Sequence, residues 1–137
     1  MLAGSVELAS LRLVAAKARA AADLATIVAI GDQDDAAFQA TGAYRPSPDA
    51  EAVARAYFAR NLDALAAALD RSPDDIAAGA DVAVFREAGM VDPRSGRRYD
   101  RPAVRVAASV PVRTPAFAAL LLPRVTSVEV LAASVAR

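Results

Sequence analysis

The spacing of apolar side chains changes character near residue 80. Before it they recur every three or four residues; after it, every second residue. In the stretch SVELASLRLVAAKARAAADLATIVAI at 5–30, Val6, Leu13, Ala20, Leu24 and Val28 fall on one side of a helical wheel, and Arg12, Arg19, Asp23 and Thr26 fall on the other. This predicts one amphipathic helix over 5–30 that packs the first set on the core. Gly31 followed by Asp32, Asp34 and Asp35 ends it, because glycine suits a helix C-cap and carboxylates are unfavourable at the negative end of the helix dipole. Residues 31–46, with Phe38 and Tyr44 in a polar setting, read as a loop carrying one short helical turn.

Ser47-Pro48-Asp49 opens a second helix, predicted over 48–70. Serine caps, proline occupies the first helical position where a missing N–H costs nothing, and aspartate meets the positive dipole end. Val53, Tyr57, Phe58, Leu62, Leu65 and Leu69 follow at helical spacing, with Arg55, Asp63 and Asp70 outward. Ser72-Pro73-Asp74-Asp75 repeats the start signal, but Gly79 limits that segment to a connector of a turn or two.

Period two then takes over. VAVF at 82–85 belongs to a strand predicted over 81–90. Val104, Val106, Ala108, Val110 and Val112 alternate with Arg105, Ala107, Ser109, Pro111 and Arg113 in a strand over 103–113. The segment DPRSGRRYDRP at 92–102 has the proline, glycine and charge of an exposed hairpin loop, so the two strands should pair antiparallel. PAFAALLLP at 115–123 reads as a brief apolar helix or turn, and a third strand follows over 124–135. Helices first and strands afterwards predict an α+β fold: a long N-terminal helix and a second helix on one face of an antiparallel sheet of about three strands, the other face left uncovered. The chain is long enough for one domain over 1–137, divided into 1–30, 31–79 and 80–137.

Charge and chemistry narrow the function. Sixteen basic residues, fifteen of them arginine, balance sixteen acidic ones, so there is no electrostatic footprint for nucleic acid. Cysteine and histidine are both absent, which removes disulfides, thiolate chemistry, the usual zinc ligands and the commonest proton shuttle. No apolar window is long enough to cross a bilayer, and the N-terminus lacks the form of a signal peptide. Asp32, Asp34 and Asp35 lack the downstream glycine and glutamate of a calcium loop, so no metal is expected. Glu7 with Lys17, or Asp74 with Asp75, have no framework for acid/base work, and Ser10 and Lys17 stand two helical turns apart, about 10 Å. No catalytic constellation and no cofactor site is expected. Arg94, Arg97, Arg98 and Arg101, flanked by Asp92 and Asp100, form the best candidate for a polar interaction loop.

Two segments carry a resemblance. KARAAADLATIVAI at 17–30 resembles the segment that follows the membrane span in TadE/TadG-like proteins, the pilin-like (pseudopilin) components of the Flp, or tight-adherence, pilus system. PAVRVAASVPVRTPAFAALLLPRVTSVEVLAASVA at 102–136 is similar to that family's tail, a valine-rich strand, a short apolar turn after Thr-Pro and a final strand ending in small residues. Together they cover about a third of the chain, at its two ends and in the family's order.

The resemblance implies a pilin-like fold and an extracytoplasmic assembly subunit, a minor pilin whose partners are other pilin-like subunits and pilus assembly proteins. Such proteins begin with a short basic leader and a membrane-spanning helix, neither of which is present. On this reading Met1 to Leu13 is the lower end of a longer helix, and the membrane is reached only through an upstream segment. Val6, Leu8, Leu11 and Leu13 are then the expected helix-to-helix assembly interface, with the loop at 94–101 as a lateral or tip surface. The alternative is a small α+β ligand-binding domain with an apolar pocket around Tyr57, Phe58 and Phe85.

Overall fold

The computed structural model describes the backbone of residues 2–113 and 125–137, and side chains from Ser10 onward. The expected turn at 115–123 lies outside the described residues. Among those described the fold is α+β: helices α1 (Leu2–Gly31), α2 (Asp35–Thr41), α3 (Ala50–Leu62) and α4 (Pro73–Ala78), then strands β1 (Asp81–Phe85), β2 (Ala103–Arg113) and β3 (Val125–Val135). The strands form one antiparallel sheet in the order β1-β2-β3. None of the described helices is long and apolar enough to cross a membrane.

At 1.5 Å per residue, the 30 residues of α1 span about 45 Å. The face it buries is not the one that side-chain size predicts. Ala18, Ala21, Ala22, Ala25 and Ala29 are buried with Ile30, whereas Leu13, Leu24 and Ile27 are 56%, 51% and 55% exposed. The physical reason is distance. A row of methyl side chains lets the helix backbone approach β2, β3 and α3 closely, and the larger residues occupy the opposite side. Thr26, expected on the outer face, is fully buried. Its hydroxyl is 2.7 Å from the Asp23 carbonyl, to which it donates, and 2.8 Å from the Ser134 hydroxyl, which pins α1 to β3.

The segment expected as a loop with one short turn holds the capped seven-residue helix α2, and the connector of a turn or two expected after Ser72 is the six-residue α4. Asp34 accepts a hydrogen bond from the Ala37 amide at the start of α2, and Gly42, at φ +70°, ends it in the left-handed conformation that glycine adopts without strain. Ser72 caps α4 in the same way, accepting from the Asp75 amide, with Pro73 as its first residue. The second long helix starts two residues later than predicted, because Ser47 accepts from the Asp49 amide and organises the turn before Ala50. It also tightens into a 3-10 helix at Asp63–Ala68 before Leu69 bridges Val112. Its buried face runs Ala50, Ala54, Phe58, Leu62 and Leu65. Arg55, expected to point outward, reaches across to donate to the carbonyls of Ala77, Ala78 and Ala80, satisfying the end of α4.

In β2 the alternation holds: Val104, Val106, Ala108, Val110 and Val112 face the helices and are buried. Pro111 is tolerated in this central strand because its nitrogen points away from β3, toward the side where β1 pairs only with residues 103–107, so no neighbouring strand needs the missing N–H. The other face is not left bare. β1 stops at Phe85 rather than residue 90, and the segment 86–102 folds back beneath the sheet, burying Ala103, Arg105 and Ala107 as well. A second small core of Phe85, Tyr99 and Ala103 forms there, with the Phe85 and Tyr99 ring centroids 5.1 Å apart.

The close approach of α1 has a measurable consequence. Ala22→Leu should lower the unfolding free energy by about 1–3 kcal/mol through overpacking, whereas Leu24→Ala should change it by less than about 0.5 kcal/mol. Urea denaturation followed by circular dichroism decides between them. A larger loss for Leu24→Ala would put the leucine face inside.

Candidate functional site

Two surfaces carry the candidate residues. The first is the outward side of α1. Leu13, Ala20 and Ile27 recur every seven residues with Leu24 between the last two, so they form one stripe nearly parallel to the helix axis. Ala20, like Leu13, Leu24 and Ile27, is exposed. Of the expected assembly residues, Leu13 lies on this stripe and Leu11 is half-buried against the core of its own domain. Val6 and Leu8 lie on α1 outside the residues whose side chains are described. At the C-terminal end the stripe reaches a recess of about 500 Å³ between α1 and β3, lined by Ile27, Ile30, Tyr44, Val135 and Ala136. The Tyr44 hydroxyl donates to the Ile30 carbonyl, one of the carbonyls that the end of α1 leaves without a helical partner. Burial, reinforced by the Asp32 carboxylate, holds the Tyr44 hydroxyl above its ordinary pKa, so it remains a donor at neutral pH.

The second surface is the arginine loop, which the structure organises around a buried ion pair. Arg105, 3% exposed on the underside of β2, meets Asp92, 0% exposed, through Nε to Oδ2 at 2.9 Å and Nη2 to Oδ1 at 3.3 Å. Its Nη1 also reaches Asp81, at 3.0 Å to the carbonyl and 2.9 Å to Oδ2. Asp92 accepts two further hydrogen bonds, from the Arg94 amide and the Ser95 hydroxyl. The turn closes from Gly96 N–H to Asp92 C=O, with Gly96 at φ +74°. Asp92, expected as an exposed flank of the loop, is therefore its anchor.

Electrostatics follow from that geometry. Burial pushes the Asp92 carboxyl up, but hydrogen bonds from Arg105, the Arg94 amide and Ser95 outweigh it, and the group sits below the usual carboxylate range. The Arg105 hydrogen bond, helped by its charge and by Arg94, lowers Asp81 despite some desolvation. Burial alone would lower Arg105, yet hydrogen bonds to Asp92 and Asp81 carry it above its ordinary value. Of the four loop arginines, Arg94 pairs with Asp81 at 3.1 Å, and Arg97 lies over the Tyr99 ring at 4.9 Å. Arg98 and Arg101 are exposed. The four do not converge on one point.

A signal for the anchor exists in the sequence. Asp-Pro-Arg-Ser-Gly at 92–96 is a turn in which the aspartate can accept from the residues that follow, and Arg105 is the only charge among the seven residues from Pro102 to Ala108. The apolar pocket expected around Tyr57, Phe58 and Phe85 does not form. Phe58 is buried in the main core between helices and sheet, Tyr57 is 36% exposed, and Phe85 lies on the opposite face of the sheet. Comparison of the chain with protein-family models, with curated proteins and with solved structures returned no match.

The depressed carboxyl groups fix a pH dependence. A carboxyl whose pKa is lowered by folding contributes stability above its unfolded value, near pH 4, and loses it as pH falls through the folded value. Asp92→Asn, which leaves Arg105 buried without its charge partner, should therefore cost about 3–5 kcal/mol at pH 7. That gap to the wild type should narrow below about pH 4 as the wild-type carboxyl protonates. Denaturation at pH 7 and pH 3 measures both, and a gap independent of pH would mean that the ion pair contributes little.

Proposed function

We propose that this chain is the extramembrane part of a minor pilin-like subunit of a Flp-type or related filament, acting in assembly rather than catalysis. The observation that carries this reading is the double-sided α1. Its alanine face is satisfied within the domain, while Leu13, Leu24 and Ile27 remain exposed on the far side of the same helix. A domain that needed α1 only for its own core would gain nothing from three large aliphatic side chains in water; a helix that packs among neighbouring helices requires them. The fold supports the reading further: a long first helix lies across an antiparallel sheet, and every fully buried residue of α1 among those described falls between Ala18 and Ile30, with Leu11 and Val14 only partly buried against the same core.

On this reading the stripe from Leu13 to Ile27 is the surface between subunits; of the expected set Val6, Leu8, Leu11 and Leu13 it keeps Leu13 and gives up Leu11, which packs on its own domain, and the recess beside Ile27 receives an apolar side chain of a neighbour. Extracytoplasmic location and attachment through an upstream helix belong to the same proposal.

Cysteine crosslinking in cells tests it, since the chain has no native thiol. With the native gene at its own locus, Leu24→Cys and Ile27→Cys should form disulfide-linked pairs of pilin-like subunits, and Arg12→Cys, exposed but off the stripe, should form far fewer. Leu24→Arg should abolish filament incorporation without lowering the melting temperature of the domain. Equal crosslinking at position 12, or a product recovered only as a free cytoplasmic monomer, would contradict the assignment.

A further inference from the structure

The outer edge of β3 is built to accept another strand. In the β2–β3 ladder the Ala136 amide donates to the Pro102 carbonyl, which makes the even-numbered residues of β3 the hydrogen-bonded partners of β2. The odd-numbered residues, among them Glu129, Leu131 and Ala133, therefore point their backbone N–H and C=O groups away from the sheet. Among the described residues none of those groups has a hydrogen-bond partner. Eleven residues long, VTSVEVLAASV contains no lysine, arginine or proline, and Glu129 is the one charged side chain that blunts the edge.

The edge is also flanked by charge. A cavity of about 260 Å³ is lined by Arg19 and Asp23 of α1, by Leu131 and Ala133, and by Arg97 and Arg105. Because α1 packs on one face of the sheet and Arg97 and Arg105 belong to the other, this cavity wraps around the β3 edge. Arg105 is paired with Asp92 and Asp81, whereas Arg19, on the α1 side, makes no ion pair among the described residues and has Asp23 one turn further along its own helix. Arg97 makes no ion pair among the described residues; its guanidinium rests on Tyr99 at the mouth of the cavity, near the half-exposed Leu131.

We propose that the β3 edge from Glu129 to Ala133 is a docking site for an extended peptide segment of a partner protein, added as a fourth strand, whose side chains toward the Arg97 face are acidic. Backbone hydrogen bonds to the odd residues of β3 provide affinity, and the period-two alternation of a strand places every second side chain on the Arg97 side, where a carboxylate meets the guanidinium and its methylene stem covers Leu131. The Glu129 carboxylate faces the same side and sets the register by repelling an acid placed directly beside it. This inference stands apart from the α1 stripe and does not depend on the filament reading.

The test uses a fluorescein-labelled heptapeptide, acetyl-Thr-Val-Glu-Val-Glu-Val-Thr-amide, and its counterpart with lysine in place of glutamate, titrated against the full chain. The glutamate peptide should bind at least tenfold more tightly than the lysine peptide, and should slow amide hydrogen exchange at Leu131 and Ala133 while leaving Val130 and Ala132 unchanged. Leu131→Pro removes an outward N–H that β2 does not use, so the sheet survives and affinity should fall at least tenfold. Arg97→Glu, at an exposed position, should reverse the preference between the two peptides. The proposal is overturned by a dissociation constant weaker than about 1 mM, by equal binding of both peptides, or by unchanged binding in both variants. Concentration-dependent protection of the same amides without peptide would make a second copy of this chain the occupant, and would overturn it as well.

Discussion

The close packing of the alanine face of α1 against β2, β3 and α3 is the constraint on which the rest of the structure depends. Ala18, Ala22, Ala25 and Ala29 are completely buried and present only methyl groups, so the helix axis lies nearer to the sheet than leucine or phenylalanine would allow. At that distance Thr26 can reach Ser134, and the valines of β2 fill the remaining volume with Phe58 and Leu62. The same constraint sends the large aliphatic residues of α1 outward. A helix covered on one side only cannot bury both an alanine row and a leucine row that lie on opposite sides of its axis. The exposed stripe is therefore a consequence of how the core is built.

Beneath the sheet a different economy holds. The underside of β2 carries Ala103, Arg105 and Ala107, too little apolar surface to recruit a layer by hydrophobic burial alone. A buried charge does the recruiting. Arg105 requires carboxylates, Asp81 and Asp92 provide them, and the segment from Arg86 to Pro102 is drawn under the strands as a result. Arg86 adds a second tether by donating to the carbonyls of Pro46 and Ser47. Breaking such a pair leaves an uncompensated buried charge, so the pair holds the loop in one position. That position is what sets Arg97 beside the β3 edge.

Much of this was legible from the pattern of residues. The change from helical to alternating period near residue 80, the start signals at Ser47 and Ser72, and the glycines after the helices place most of the described elements within a few residues, α2 and the end of β1 excepted, and give the α+β class with its antiparallel order. What could not be read was orientation and tertiary partnership. Helical-wheel reasoning weighs side-chain size, and in α1 it selects Leu13 and Leu24 as the buried face; that rule fails where close approach favours methyl groups. Arg55 and Arg105 look like outward charges because their partners, the carbonyls of Ala77 and Ala80 and the carboxylate of Asp92, are supplied by segments distant along the chain. Tyr57, Phe58 and Phe85 could be grouped by type in the sequence, but only the sheet lying between Phe58 and Phe85 shows that they do not meet.

The central claim is that α1 turns its alanines inward and its leucines and isoleucine outward. Solvent paramagnetic relaxation of side-chain methyl groups by a soluble gadolinium chelate measures this directly, since each residue concerned carries a methyl probe. The account predicts strong relaxation of the Leu13, Leu24 and Ile27 methyls and almost none for Ala18, Ala22, Ala25 and Ala29. The opposite pattern, with the alanine methyls relaxed and the leucine methyls protected, would contradict it.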